Sequence, residues 1–220
     1  MARIIIIGGH GKVALLTEQI LTRRGDEVTA VIRNPDQVEA VAETGATPMV
    51  FDIEEYDVDA LAELFAGHDA IVWSAGAGSG HPVRTRAVDR EAAIRSMDAA
   101  EQAGVKRYVM VSYFNSSLKH GVDPEHPFYH YAEAKAIADA YLRQTTLDWT
   151  ILCPSGLIVE KASGRIDPYA TKSEVVSRGN VAQVIARTLI EDRTIGRAIR
   201  FNEGDVPIEV ALREAGVSHY

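Results

Sequence analysis

Arg3-Ile4-Ile5-Ile6-Ile7-Gly8-Gly9-His10-Gly11-Lys12-Val13-Ala14 opens on a run of β-branched residues that stops at a glycine-rich turn. Apolar residues at helical spacing follow at once: Val13, Leu16, Ile20 and Leu21. The stretch therefore reads as strand, tight turn and helix. Glycines let the backbone turn sharply and approach a ligand, and a helix N-terminus offers unpaired N–H groups and the positive end of a dipole. Such a unit suits a pyrophosphate. Glycine-rich turns are common, and a plain βα turn is the bland alternative. What gives Gly8-x-x-Gly11-x-x-Ala14 meaning is its setting, with a strand before it and a helix after. The third position needs a small residue for helix–strand packing, and Ala14 is small.

Outward from this unit, strand and helix patterns alternate along the chain. Strand patterns fall at Ile4–Ile7, Glu27–Ile32, Thr47–Asp52, Ala70–Ser74, Arg107–Ser112, Trp149–Cys153 and Ala198–Phe201. Most are continuous apolar runs, as parallel strands covered on both faces require. Helical patterns lie between them at Lys12–Arg24, Asp36–Glu43, Val58–Phe65, Thr85–Ala103, Tyr131–Gln144, Asn180–Ile190 and Ile208–Ala215. Glycine stop signals stand at Gly25, Gly45, Gly67, Gly104 and Gly216. The pattern predicts an α/β fold: a Rossmann-type doubly wound parallel sheet, order 3-2-1-4-5-6 with a seventh strand, as one domain over 1–220. Two polar segments break the alternation, 115–130 and 158–179. Both follow strand C-termini, the edge where open α/β sheets bind ligands, and are read as substrate-side walls.

Composition narrows the partners. The 220 residues carry 46% hydrophobic and 25% charged residues, which is enough for a large core. A formal net charge of −8 disfavours nucleic acid, which needs basic surface. The single cysteine, Cys153, allows no internal disulfide and fits a cytoplasmic setting. The apolar run at Ile4–Ile7 is too short for a signal core or a membrane span. A small-molecule substrate is expected, and a homodimer is left open.

Chemistry-bearing residues sit at the predicted strand ends. The second strand ends at Arg33, where a fold preferring NAD would carry an acid for the ribose 2′-hydroxyl. A guanidinium suits a 2′-phosphate, with Lys12 as a second cation, so NADP is expected rather than NAD. Asp52 is placed to accept the adenine amino group, or else serves as a loop acid. The small residues from Ser74 to Gly80 let a ribose and nicotinamide lie against the backbone. Tyr131 and Lys135, four apart, share a helix face. An ammonium beside a phenol favours the phenolate, so Tyr131 is the candidate general acid–base, with Tyr129 as competitor. Ser112, ending the fifth strand, is the candidate substrate orienter. Cys153 reads as a small buried residue. His120, His126 and His130 share a loop without metal-ligand spacing, so no metal is expected.

These residues together resemble the atypical short-chain dehydrogenase/reductase family, in its single-domain, NAD(P)-binding, NmrA-like and flavin- or biliverdin-reductase-like branch. The resemblance spans nearly the whole chain. It is carried by Gly8–Ala14, Val31-Ile32-Arg33-Asn34-Pro35, Asp69–Gly76, Ala99–Ser112, Ala134–Asp139, Leu147–Pro154 and Gly204–Ile208. It implies a cofactor-binding set of Gly8, His10, Gly11, Lys12, Val13, Arg33, Asp52, Ala75, Gly76, Ala77, Lys135, Pro154, Gly156 and Leu157. Two departures bear on the substrate pocket: Cys153 stands where Arg is common before Pro-Gly, and Ser155 intrudes before Gly156. The resemblance implies hydride transfer between NADP(H) and a small carbonyl, quinone or flavin, with Tyr131, Lys135 and Ser112 as the catalytic set. A non-catalytic NADP(H)-sensing protein and a sugar-nucleotide epimerase are the alternatives. The little chain left after the last strand argues against the epimerase.

Overall fold

The computed structural model describes residues 1–78 and 81–215. The expected order is present: a nine-stranded sheet runs β11 (Val206–Pro207), β8 (Arg165–Asp167), β10 (Arg197–Glu203), β6 (Asp148–Pro154), β5 (Arg107–Val111), β4 (Ala70–Trp73), β1 (Arg3–Ile7), β2 (Glu27–Ile32), β3 (Thr47–Val50). Its parallel part comprises β1 to β6 and β10. β10 is the expected seventh parallel strand, paired with β6. The short strands β8 and β11 extend that edge antiparallel. β7 (Gly156–Ile158) and β9 (Val175–Ser177) form a separate parallel pair. The segment 158–179, read as a wall without regular structure, therefore contains two strands. Three-residue strands carry too little alternation to be legible.

The isoleucine run at the centre shows how the layers arise. Successive side chains of a strand point to opposite faces. Ile4 and Ile6 join a core with Val13, Leu21, Val181 and Ile185 from α1 (Lys12–Arg24) and α7 (Arg178–Thr188). Ile5 and Ile7 join Leu61, Phe65, Met97 and Leu142 from α3 (Val58–Phe65), α5 (Ala93–Ala103) and α6 (Tyr129–Leu142). All four isoleucines are at most 1% exposed. Each such burial is worth about 1.5–3 kcal/mol before entropy is counted.

α6 and α7 begin and end two residues earlier than their sequence patterns, and two other helical patterns break up. Pro35 starts a 3₁₀ turn, Pro35–Gln37, ahead of α2 (Val38–Ala42). The pattern at Thr85–Ala103 resolves into α4 (Pro82–Thr85), a π-helical turn Arg86–Ala92, and α5. The stop at Gly216 and the small residues Ser79 and Gly80 lie outside the described residues. Among the described residues no helix is long and apolar enough to cross a membrane.

Register places the site. Ile7 pairs with Val31 on one side and Trp73 on the other, so β1, β2 and β4 end level. The strand order reverses between β1 and β4, which opens a crevice at their C-terminal edge.

Candidate dinucleotide-binding site

The glycine turn is fixed by its own backbone. Gly8 and Gly9 both donate to Val31 O, at 3.1 and 2.8 Å, and Gly11 donates to Gly8 O at 3.0 Å. Gly8 adopts φ +87°, and a Cβ there would sit 2.6 Å from Ala75 Cα. A side chain is thus excluded twice, by conformation and by space. α1 begins with no side-chain cap and no acid in its first turn. Its leading N–H groups and positive dipole end remain available to an anion. These features fit a dinucleotide pyrophosphate. Gly8→Ala is expected to lose about 1–3 kcal/mol of stability through backbone strain. Dinucleotide affinity should fall with it; isothermal titration and urea unfolding read the two effects.

A cleft of about 280 Å³ opens at this edge. Gly8, His10, Gly11, Arg33, Asp52, Ala75 and Gly76 of the expected set line it. Lys12 is exposed outside that lining, and the Val13 side chain is buried in the core, leaving only its backbone for a ligand. Asp52 Oδ1 accepts the Glu54 N–H at 3.0 Å, so one of its oxygens serves the loop. Sequence reading missed Glu54 and Arg84, which also line the cleft. Both lie in segments with no motif of their own.

The second group of expected residues lies outside the cleft lining, around the start of α6. Lys135 is 1% exposed; its Nζ donates to Val111 O at 2.7 Å and approaches Met110 Sδ at 3.4 Å. Ser112 Oγ donates to Asp139 Oδ2 at 2.5 Å, and Ser116 donates to the same oxygen. Asp139 Oδ1 is buried without a partner. Across from it, Asp89 Oδ2 accepts the Ala77 N–H at 3.0 Å, while Asp89 Oδ1 is buried unpartnered. Burial pushes both carboxyls above the usual range, and Lys135 is the largest charge pulling each back down. So Lys135 is the counter-charge of two buried acids.

That arrangement corrects the expected phenolate. Tyr131 packs against Phe128 and Tyr113, with centroids 5.2 and 5.7 Å away. Burial first, then the charges of Asp89 and Asp139, push its phenol up rather than down. Tyr113 Oη is buried without a partner, and burial raises that phenol to about 12. Tyr129 packs edge-on against His120 and His130. His120 Nε2 lies 3.1 Å from Glu133.

Of these two acids, which sequence reading missed, only Asp139 carried a signal. Ala132, Lys135, Ala136, Asp139 and Leu142 form the buried face of α6, and a carboxylate in that stripe was the available signal. Asp89 sits in the π turn, whose altered spacing moves it off the expected periodicity.

The third expected group is scattered. Pro154 is buried at the end of β6, and Gly156 and Leu157 are exposed on β7. None lines the cleft. Cys153 is buried in the core, which raises its thiol pKa, as expected for a packing residue.

Comparison with known proteins agrees with this geometry. The oxidoreductase ylbE from Lactococcus lactis is 30% identical, with a TM-score of 0.88 over 99% of this chain and 98% of that one. UPF0659 protein C216.03 of Schizosaccharomyces pombe is 33% identical, covering 96% of this chain and 94% of its own. The uncharacterized sugar epimerase YhfK of Bacillus subtilis is 30% identical over 96% and 99%. Residues 8–192 match the sequence profile of a family described as NAD(P)H-binding. The glycine turn, the crevice beside it and these likenesses together make the chain a member of the NAD(P)H-binding family, on an oxidoreductase-like Rossmann fold of the atypical short-chain dehydrogenase/reductase kind.

Proposed function

We propose that the protein is an NADP(H)-dependent oxidoreductase acting on a small carbonyl, quinone or flavin. One observation carries the cofactor preference: Arg33 closes β2 in the cleft and is joined there by Arg84, where an NAD site would present an acid to the ribose. Gly8, Gly11 and the start of α1 would hold the pyrophosphate, and Ala75 and Gly76 leave room beside it. When bound, the nicotinamide supplies or takes up a hydride. Tyr131, kept protonated by its surroundings, is the proposed proton donor. Lys135 and Ser112 act as positioning residues, through Val111 O and Asp139 respectively.

Oxidation of NADPH against aldehydes, quinones and flavins tests this reading. With a carbonyl acceptor, Tyr131→Phe should lose about 10²-fold or more in kcat. Unchanged turnover in the variant removes Tyr131 from the acid role and favours a flavin or quinone acceptor. A second reading has its own support: the packing of Tyr131 among Tyr113 and Phe128 also suits a non-catalytic NADP(H) sensor. Tight NADPH binding with no turnover on any acceptor is its signature.

A further inference from the structure

Two arginines of the cleft reach for one oxygen. Arg33 Nη1, from the end of β2, and Arg84 Nε, from α4, each lie 3.2 Å from Glu54 Oε1. The Glu54 side chain is 22% exposed, against 51% for Arg33 and 38% for Arg84. The acid is therefore the most enclosed member of the trio. Its backbone is braced at both ends. The Glu54 N–H donates to Asp52 Oδ1 at 3.0 Å, and Arg95 Nη2 donates to Ile53 O at 2.9 Å and Glu54 O at 3.4 Å. Phe51 stacks on Tyr56 across the same loop, with centroids 4.1 Å apart. The loop after β3 is built to present this carboxylate to both guanidiniums.

We infer that Glu54 is an internal competitor for the 2′-phosphate: it holds Arg33 and Arg84 converged, and gives them up to the phosphate when the cofactor enters. The inference rests on the NADP(H) reading above. A carboxylate oxygen shared by two guanidiniums leaves most of their donors unused. A phosphate offers three oxygens and about −1.5 to −2 charges, so each arginine gains an acceptor of its own. The trio carries a net +1, from two guanidiniums and one carboxylate. Glu54 also lies where it would repel an incoming dianion, so it lowers affinity for the phosphorylated cofactor while keeping the arginines placed. Discrimination between the two cofactors is then a difference that Glu54 sets, rather than a property of Arg33 alone.

Titration calorimetry with 2′,5′-ADP and with 5′-AMP, which differ only in the 2′-phosphate, tests this on the whole chain. Glu54→Gln keeps the size of the side chain and an oxygen for the arginines, and thermal melts control for folding. The variant should bind 2′,5′-ADP about tenfold tighter and 5′-AMP within about twofold of wild type, as loss of one repelling charge at a partly exposed site predicts. Arg84→Ala should weaken 2′,5′-ADP about tenfold and leave 5′-AMP unchanged. If the wild type prefers 2′,5′-ADP but Glu54→Gln binds it no more tightly, the competitor role is overturned and the NADP(H) reading stands. If the wild type binds 5′-AMP as tightly as 2′,5′-ADP, the NADP(H) reading itself is overturned.

Discussion

Replacing Lys135 with Met should cost about 3–5 kcal/mol at pH 8, the range for removing one partner from a buried charge cluster. Met keeps the unbranched length that fills the site and deletes only the ammonium. Three losses coincide. Val111 O loses its donor at 2.7 Å. Asp89 and Asp139 both lose the largest charge that stabilises their ionised forms. Each already has one buried oxygen without a partner. Both carboxyls have folded pKa values raised above the unfolded ones, so the folded state holds more protons over that interval and stability falls as pH rises through it. Without Lys135 they rise further, and the variant's deficit should be larger at pH 8 than at pH 6. Urea unfolding at the two pH values measures this. Asp139→Asn in the Lys135→Met background should recover part of the loss, which a double-mutant cycle isolates. A single-variant cost below about 1 kcal/mol would show that Lys135 is not the counter-charge of these acids.

The same residues mark the limit of what the sequence discloses. The strand–turn–helix unit is legible because its signals agree: β-branched residues, then glycines in forced conformations, then helical spacing. Most of the seven parallel strands follow from continuous apolar runs. Tyr131 and Lys135 share a helix as their spacing requires, but spacing says nothing about what else surrounds an ammonium. Asp89 and Asp139 come from different elements, and only the fold sets them about Lys135. The cleft is half legible for a similar reason. Arg33 ends a readable strand, whereas Glu54 and Arg84 reach the cleft from a loop and a four-residue helix.

Helix α1 shows how a readable pattern can conceal a titrating group. The apolar positions Val13, Leu16, Ile20 and Leu21 point to one stripe, yet Leu16 is 37% exposed and the buried stripe is Val13, Ala14, Thr17, Glu18 and Leu21. Glu18 is thus a carboxyl in the core. Burial lifts its pKa from 4.5 to about 7, against a hydrogen bond from Thr44 that lowers it. The local bonding nevertheless accommodates the neutral form. Thr44 has one hydroxyl proton and two acceptors in reach, Val41 O at 2.7 Å and Glu18 Oε2 at 3.0 Å, while its oxygen accepts from Ala46 N at 3.2 Å. A protonated Glu18 resolves the conflict by donating to Thr44 Oγ1, which frees the threonine proton for Val41 O. Between pH 4.5 and 7 the folded state therefore holds a proton that the unfolded chain has released. Stability from this group is fully present below about pH 4.5 and falls as pH rises to about 7, by up to about 3 kcal/mol. Glu18→Gln makes the same donation at every pH. Its stability advantage over wild type should grow from near zero at pH 5 to about 2–3 kcal/mol at pH 8, read as the difference between two urea-unfolding series. Because Asp89 and Asp139 titrate alike in both proteins, that difference isolates Glu18. A difference that stays flat with pH would mean the Glu18 carboxyl is ionised in the folded protein throughout this range.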